Sequence, residues 1–141
     1  MAFLIDLTDA RFKIPANDAV IDFIRRANPF AHSDLGSRLI SLGKAIAGAH
    51  AYCPSYSSCA YVVLHTEGRV IFAIAFGMRD IAFRLPSDVL AQGGAPFLEI
   101  GEDWLCVDPF PGPATRDASD ALLQRWVEAA YRSAMERGRR P

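Results

Sequence analysis

Four side chains with metal-binding or nucleophilic chemistry, His50, Cys53, Cys59 and His65, fall within sixteen residues of one another. Imidazole nitrogens and thiolates are the usual zinc donors, and a thiol whose pKa is lowered by a neighbouring imidazole is a nucleophile. The spacing argues against a shared metal. Cys59 and His65 bracket an extended segment, and six residues of strand separate its ends by about 20 Å, far more than ligands bonded to one ion allow. Only His50, Cys53 and Cys59 can converge from one loop, and a C-x5-C spacing is not among the usual zinc pairs. The expectation is therefore no metal and no cofactor, with Cys53 or Cys59 beside His50 as the remaining candidate for a reactive thiol. Cys106, between Leu105 and Val107 in a strand pattern, is expected to be inert.

Other catalytic signatures are weaker. There is no G-x-S-x-G elbow, and Ser87, although it lies between a strand and a helix, is flanked by Pro86 and Asp88 in a pattern that reads as a helix start. Glu99, Glu102, Asp103 and Asp108 cluster in sequence; Asp108, just before Pro109, either closes a turn or faces a pocket. Gly93-Gly94 follows a helical turn, whereas a phosphate cradle needs its backbone donors at the start of one. Arg69, Arg79 and Arg84 are the better anion candidates, with ion pairs from Arg79 and Arg84 to Asp80 or Glu99 as the alternative. Arg132, Arg137, Arg139 and Arg140 near the C-terminus read as a solvated basic tail.

The elements that must position these residues centre on residues 60–86. Val70 to Phe76 is a seven-residue apolar run, too short for a buried helix and suited to a strand covered on both faces. Glu67-Gly68 and Gly77-Met78 flank it, each supplying a glycine where a tight hairpin needs positive φ, so three antiparallel strands are expected. In the last of them Ile81, Phe83 and Leu85 mark a covered face, and Asp80, Ala82 and Arg84 a wetter one. Upstream, residues 2–14 read as a possible opening strand, Asn17 as the cap of a short helix, and Leu35, Leu39, Leu42 and Ile46 as the stripe of a second helix stopping at Gly48. Gly36 and Gly43 weaken that helix by about 1 kcal/mol each relative to alanine. A polar loop is expected over 50–58, a short helix from Ser87, a hairpin over 97–107, a rigid proline loop over 109–113, and a long helix over 117–137.

That order gives an α+β fold: an antiparallel sheet of four to six strands with helices packed mainly on one face, in a single domain spanning 1–141. A chain of 141 residues, 51% of them hydrophobic, has material for a full core without staples. Fifteen basic residues, thirteen of them Arg, against sixteen acidic ones leave a net charge of −1, which disfavours a general polyanion-binding surface. Three cysteines, an odd number, fit free thiols, and no segment approaches a membrane span, so a cytoplasmic location is expected.

Arg69-Val-Ile-Phe-Ala, Ala82-Phe-Arg-Leu-Pro-Ser-Asp, Asp103-Trp-Leu-Cys-Val and Glu128-Ala-Ala-Tyr-Arg-Ser-Ala resemble the hairpin, post-hairpin helix start, Trp-bearing strand and terminal helix of the MmcQ/YjbR family. The resemblance covers roughly residues 60–135 and implies a CyaY-like fold, no established catalytic site and a nucleic-acid-binding role.

From the residues themselves, three functions are open. The first is a non-enzymatic module that binds a protein partner, as a homodimer, with Trp126 and Tyr131 as candidate interface residues. The second is a small enzyme or ligand-binding protein whose pocket lies between the sheet and the 50–58 and 108–113 loops, lined by His50, Cys53, Cys59, Arg79, Arg84 and Asp108. The third is nucleic-acid binding through the arginines.

Overall fold

The structure, a computed structural model, describes residues 12–27, 29–53, 61–93, 95–109 and 116–139, the side chains of 116–120 and 138–139 excepted. Its elements run α1 (Asp18–Ala27), α2 (Ser33–Lys44), β1 (His50–Tyr52), β2 (Val62–His65), β3 (Ile71–Phe76), β4 (Asp80–Arg84), α3 (Ser87–Gly93), β5 (Trp104–Val107) and α4 (Arg116–Arg139). A short 3-10 turn, Pro15–Asn17, leads into α1. The five strands form one antiparallel sheet in the order β1-β2-β3-β4-β5, so every strand pairs with its neighbours in sequence. The fold is α+β, and the central meander lies where the apolar run and its flanking turns place it.

β3 is screened on both faces, as its unbroken hydrophobicity requires: Ile71 to Ala75 are all fully buried. One face packs against α2, α3 and α4 through Leu35, Leu39, Leu42, Val89, Leu90, Leu123, Val127, Ala130 and Ala134. The other is covered by Phe12, by Val20, Ile21, Phe23 and Ile24 of α1, and by Ile100. Helices thus lie mainly on one face, with α1 alone on the other. Gly36 and Gly43 weaken α2 in isolation but let it close on β2: a Cβ at either would sit 3.1 Å from Val62 Cγ2 or 2.9 Å from Leu64 Cδ2. Packing decides those two positions, not helix propensity.

The parity of β3 is broken by a bulge. Leu64 pairs with Ala73 but His65 pairs with Ile71, so Phe72 is the extra residue. Phe72 and Ala73 consequently face the same layer while Ile71 and Ile74 face the other. The turn feeding this bulge holds Arg69 at φ 71°, a left-handed conformation that costs a residue with a Cβ about 1 kcal/mol or more. Asn17, fully buried, holds the distortion in place. Its Nδ2 donates to the Arg69 carbonyl at 2.8 Å and the Phe12 carbonyl at 2.9 Å, and its Oδ1 accepts from Ile71 N–H at 2.8 Å. A side chain expected to cap α1 instead satisfies strand groups more than fifty residues away, groups that a bulge would otherwise leave unpaired.

Several other expectations need correcting. The positive φ of the β2–β3 turn falls on Arg69, not Gly68, because Arg69 N–H bonds to the Thr66 carbonyl and Thr66 N–H to the Val70 carbonyl, a three-residue loop rather than a two-residue one. Gly77 does take φ 70°. The 50–58 loop begins as strand β1, pairing with β2 from His50 to Tyr52. Only the second arm of the expected 97–107 hairpin is a strand; Pro96 lacks a ladder donor, and Leu98–Ile100 instead wraps into a turn around the Phe97 carbonyl. α2 ends at Lys44, before Gly48, whose φ of 92° belongs to the turn into β1. The wetter face of β4 is wet only at its ends, since Ala82 is fully buried beneath the α1 layer. Phe12 and Ile14 are not in a strand, and the rest of the expected opening strand lies outside the described residues, as does most of the proline loop.

Replacing Asn17 by Ala strands the Arg69 carbonyl and the Ile71 N–H in a dry site, with an expected loss of about 3 kcal/mol in urea unfolding at unchanged m-value. Asn17→Asp, which keeps the acceptor but loses both donated bonds, is expected to be at least as damaging.

Candidate functional site

Among the residues singled out from sequence, the sheet separates rather than gathers. His50 starts β1 and pairs with His65, at the end of the sheet nearest the β2–β3 turn. Arg79 and Asp108 lie at the opposite end, beyond Phe76 and Val107. β1 and β4 are also three strands apart, about 14 Å at normal strand spacing. Arg84 returns to the first end but on the far side of the sheet, next to β5. The five described candidates are thus spread over both ends and both edges of the sheet; Cys59 lies outside the described residues. The two loops that were to wall a pocket leave from β1 and β5, the two edges of the sheet.

Arg79, Arg84 and Arg137 each have a carboxylate partner. Arg79 Nε lies 2.8 Å from Asp108 Oδ2, with both side chains more than half exposed, and such a pair contributes under about 1 kcal/mol. Arg84 Nε lies 2.6 Å from Asp103 Oδ2, and Arg84 Nη1 donates to the Ala16 carbonyl. Arg137, read as part of a loose basic tail, reaches the same Asp103 carboxylate at 3.6 Å. These pairings replace the expected ones with Asp80 and Glu99. Strand register sets them: Arg84 lies opposite Trp104, so Asp103 is its diagonal neighbour, while Asp80 Oδ1 accepts instead from the Cys106 thiol at 3.6 Å. Arg139 and Arg140 have no described side chains.

The cysteines differ sharply. Burial, with Asp80 close by, raises the Cys106 thiol to about 12, so it stays protonated and unreactive. Cys53 is exposed at the end of β1. Cys53 follows the strand, and the His50 ring stacks on His65 with Nε2 at 3.9 Å from Glu67 Oε1. No three His, Cys, Asp or Glu side chains among the described residues are grouped to hold a metal ion.

The candidate interface aromatics turn inward. The Tyr131 ring meets Phe72 edge-on at 5.6 Å, and Trp126 lies 6.4 Å from Phe83 while flooring a shallow groove with Val89 and Ala129. The exposed large apolar side chains are others: Phe30, Met78 and Leu98, at 51%, 58% and 68%. Phe30 and Met78 belong to two segments that a parallel Ala31–Gly77 bridge ties together: Gly77 N–H donates to the Phe30 carbonyl and His32 N–H to the Gly77 carbonyl at 2.9 Å, a register that sets Met78 beside His32 and Phe30 beside Phe76. Sequence offered one signal for this, a methionine at a hairpin tip, where no core can reach it. Behind β3, Phe23, Phe76 and Phe97 form a ring triangle with centroids 5.1–5.8 Å apart.

Comparison with family models, curated proteins and solved structures returns no match.

Native labelling with a thiol reagent, in a Cys59→Ser background, is expected to modify Cys53 quickly and Cys106 only after unfolding. Because the folded Cys106 pKa lies above the unfolded one, its thiol costs no stability below about pH 8.5. At higher pH the unfolded chain ionises first and stability falls.

Proposed function

We propose that this chain is a non-catalytic binding module that engages a protein partner through the rim built by Phe30 and Met78, and that this partner is a second copy of the chain. One observation carries the proposal: two large apolar side chains stand more than half exposed on the two backbone segments that the Ala31–Gly77 bridge ties together. Aromatic residues and methionine are the types enriched where surfaces meet. Covering the exposed parts of both contributes about 1 kcal/mol each from apolar area alone.

The surroundings favour self-association. His32, Asp34 and Arg79 border Met78, so both signs of charge flank one apolar tip. A two-fold axis passing near Met78 sets Asp34 of each copy against Arg79 of the other, the self-complementary arrangement that an isologous dimer needs. Arg79 already contacts Asp108 through Nε, and a guanidinium has further donors for a second carboxylate.

Sedimentation equilibrium at micromolar concentration tests this. The native chain is expected to be dimeric, and Phe30→Ser with Met78→Ser to weaken the dimer at least about tenfold without lowering the denaturation midpoint. A native chain that stays strictly monomeric would remove the dimer claim.

A further inference from the structure

We infer that the cleft at the outer end of β1 and β2 is a binding site for a tetrahedral oxyanion, a phosphate borne either free or on a monoester. The cleft holds about 330 Å³ and is lined by His50, Ala51, Tyr52, His65, Glu67 and Arg69. It is separate from the Phe30–Met78 rim, which lies at the other end of the sheet.

Three features assemble the site. Arg69 occupies a left-handed position that a glycine would adopt without strain, with its carbonyl held by Asn17 Nδ2 and its N–H by the Thr66 carbonyl. Its guanidinium lies 5.6 Å from the Phe12 ring centroid, and no carboxylate among the described residues is within ion-pair distance of it. A planar donor fork is therefore held in place on an aromatic floor with its charge available to an anion.

The imidazoles supply the second feature. His65 is 4% exposed, and its Nδ1 lies 2.7 Å from the Thr66 carbonyl, which can only accept, so Nδ1 carries the proton. The His65 ring also stands edge-on to Phe12 at 5.2 Å, and His50 stacks on His65 at 5.6 Å. Phe12, Tyr52, His65 and Arg69 thus share one aromatic hub, with half-exposed His50 at the mouth.

The third feature is charge balance. Facing the imidazoles are Glu67 and Arg69 from the β2–β3 turn and Tyr52 from β1, while α2, which packs on β1, ends in Lys44. With His50 neutral, Glu67 offsets Arg69; once His50 is protonated, the cleft gains a net positive charge and a further donor.

Side-chain imidazole NMR on the full chain tests the site with inorganic phosphate as probe. His50 resonances are expected to shift on titration at about pH 6. Sulfate is expected to bind as well, and His50→Gln, which removes the ring at the mouth, to weaken its binding several-fold. Arg69→Gly removes the guanidinium while relieving the backbone, so it should fold at least as well and lose about tenfold or more in affinity. Glycerol phosphate binding more tightly than inorganic phosphate assigns the ester, and weaker binding assigns the free ion. No phosphate-dependent shift, or an equal shift in Arg69→Gly, would show an adventitious ion only and overturn the assignment.

Discussion

The three hydrogen bonds of Asn17 hold together parts of the chain that are distant in sequence. They join the segment before α1 to the turn that starts β3, and they do so where β3 is bulged and Arg69 is strained. Without them the layer formed by Phe12 and α1 would keep its apolar contacts and the arginine bonds from Arg84 to Ala16 and from Arg26 to Glu99, but the bulge would leave polar groups dry and unpaired. With them, β3 lies between two covered faces, and the other strands are ordered around it.

Both functional proposals descend from that arrangement. A β3 fixed in register places Gly77 where it can bridge Ala31, and that bridge ties together the two segments that expose Phe30 and Met78. At the other end the same strand starts from Arg69, whose conformation sets the guanidinium over Phe12 and beside the stacked histidines. One end of the meander therefore presents an apolar tip with mixed charge around it, and the other a cleft whose charge depends on imidazole protonation.

Periodicity made the scaffold legible. The Val70–Phe76 run, the Leu35-Leu39-Leu42 stripe and the apolar face of α4 are local patterns, and each lies where its spacing places it. The failures share a cause: they depend on partners distant in sequence. Asn17 looks like a cap because nothing nearby reveals strand groups fifty-four positions on. His50 and Cys53 look like a pair because they are close along the chain, whereas the His50 ring stacks on His65 from the neighbouring strand. Arg79 and Arg84 find Asp108 and Asp103 through the β4–β5 register, which a linear reading cannot supply. Phe30 becomes a surface feature only through its contact with a hairpin tip far along the chain.

Amide hydrogen exchange on the native chain tests the double cover and its anchor most directly. The account requires Ile71 N–H, bonded to a side chain rather than to a ladder partner, to exchange as slowly as Ala73 and Ile74, only through global unfolding, while the β1 amides exchange through local opening. Exchange at Ile71 as fast as in β1 would show that Asn17 does not secure the start of β3, and would contradict the account.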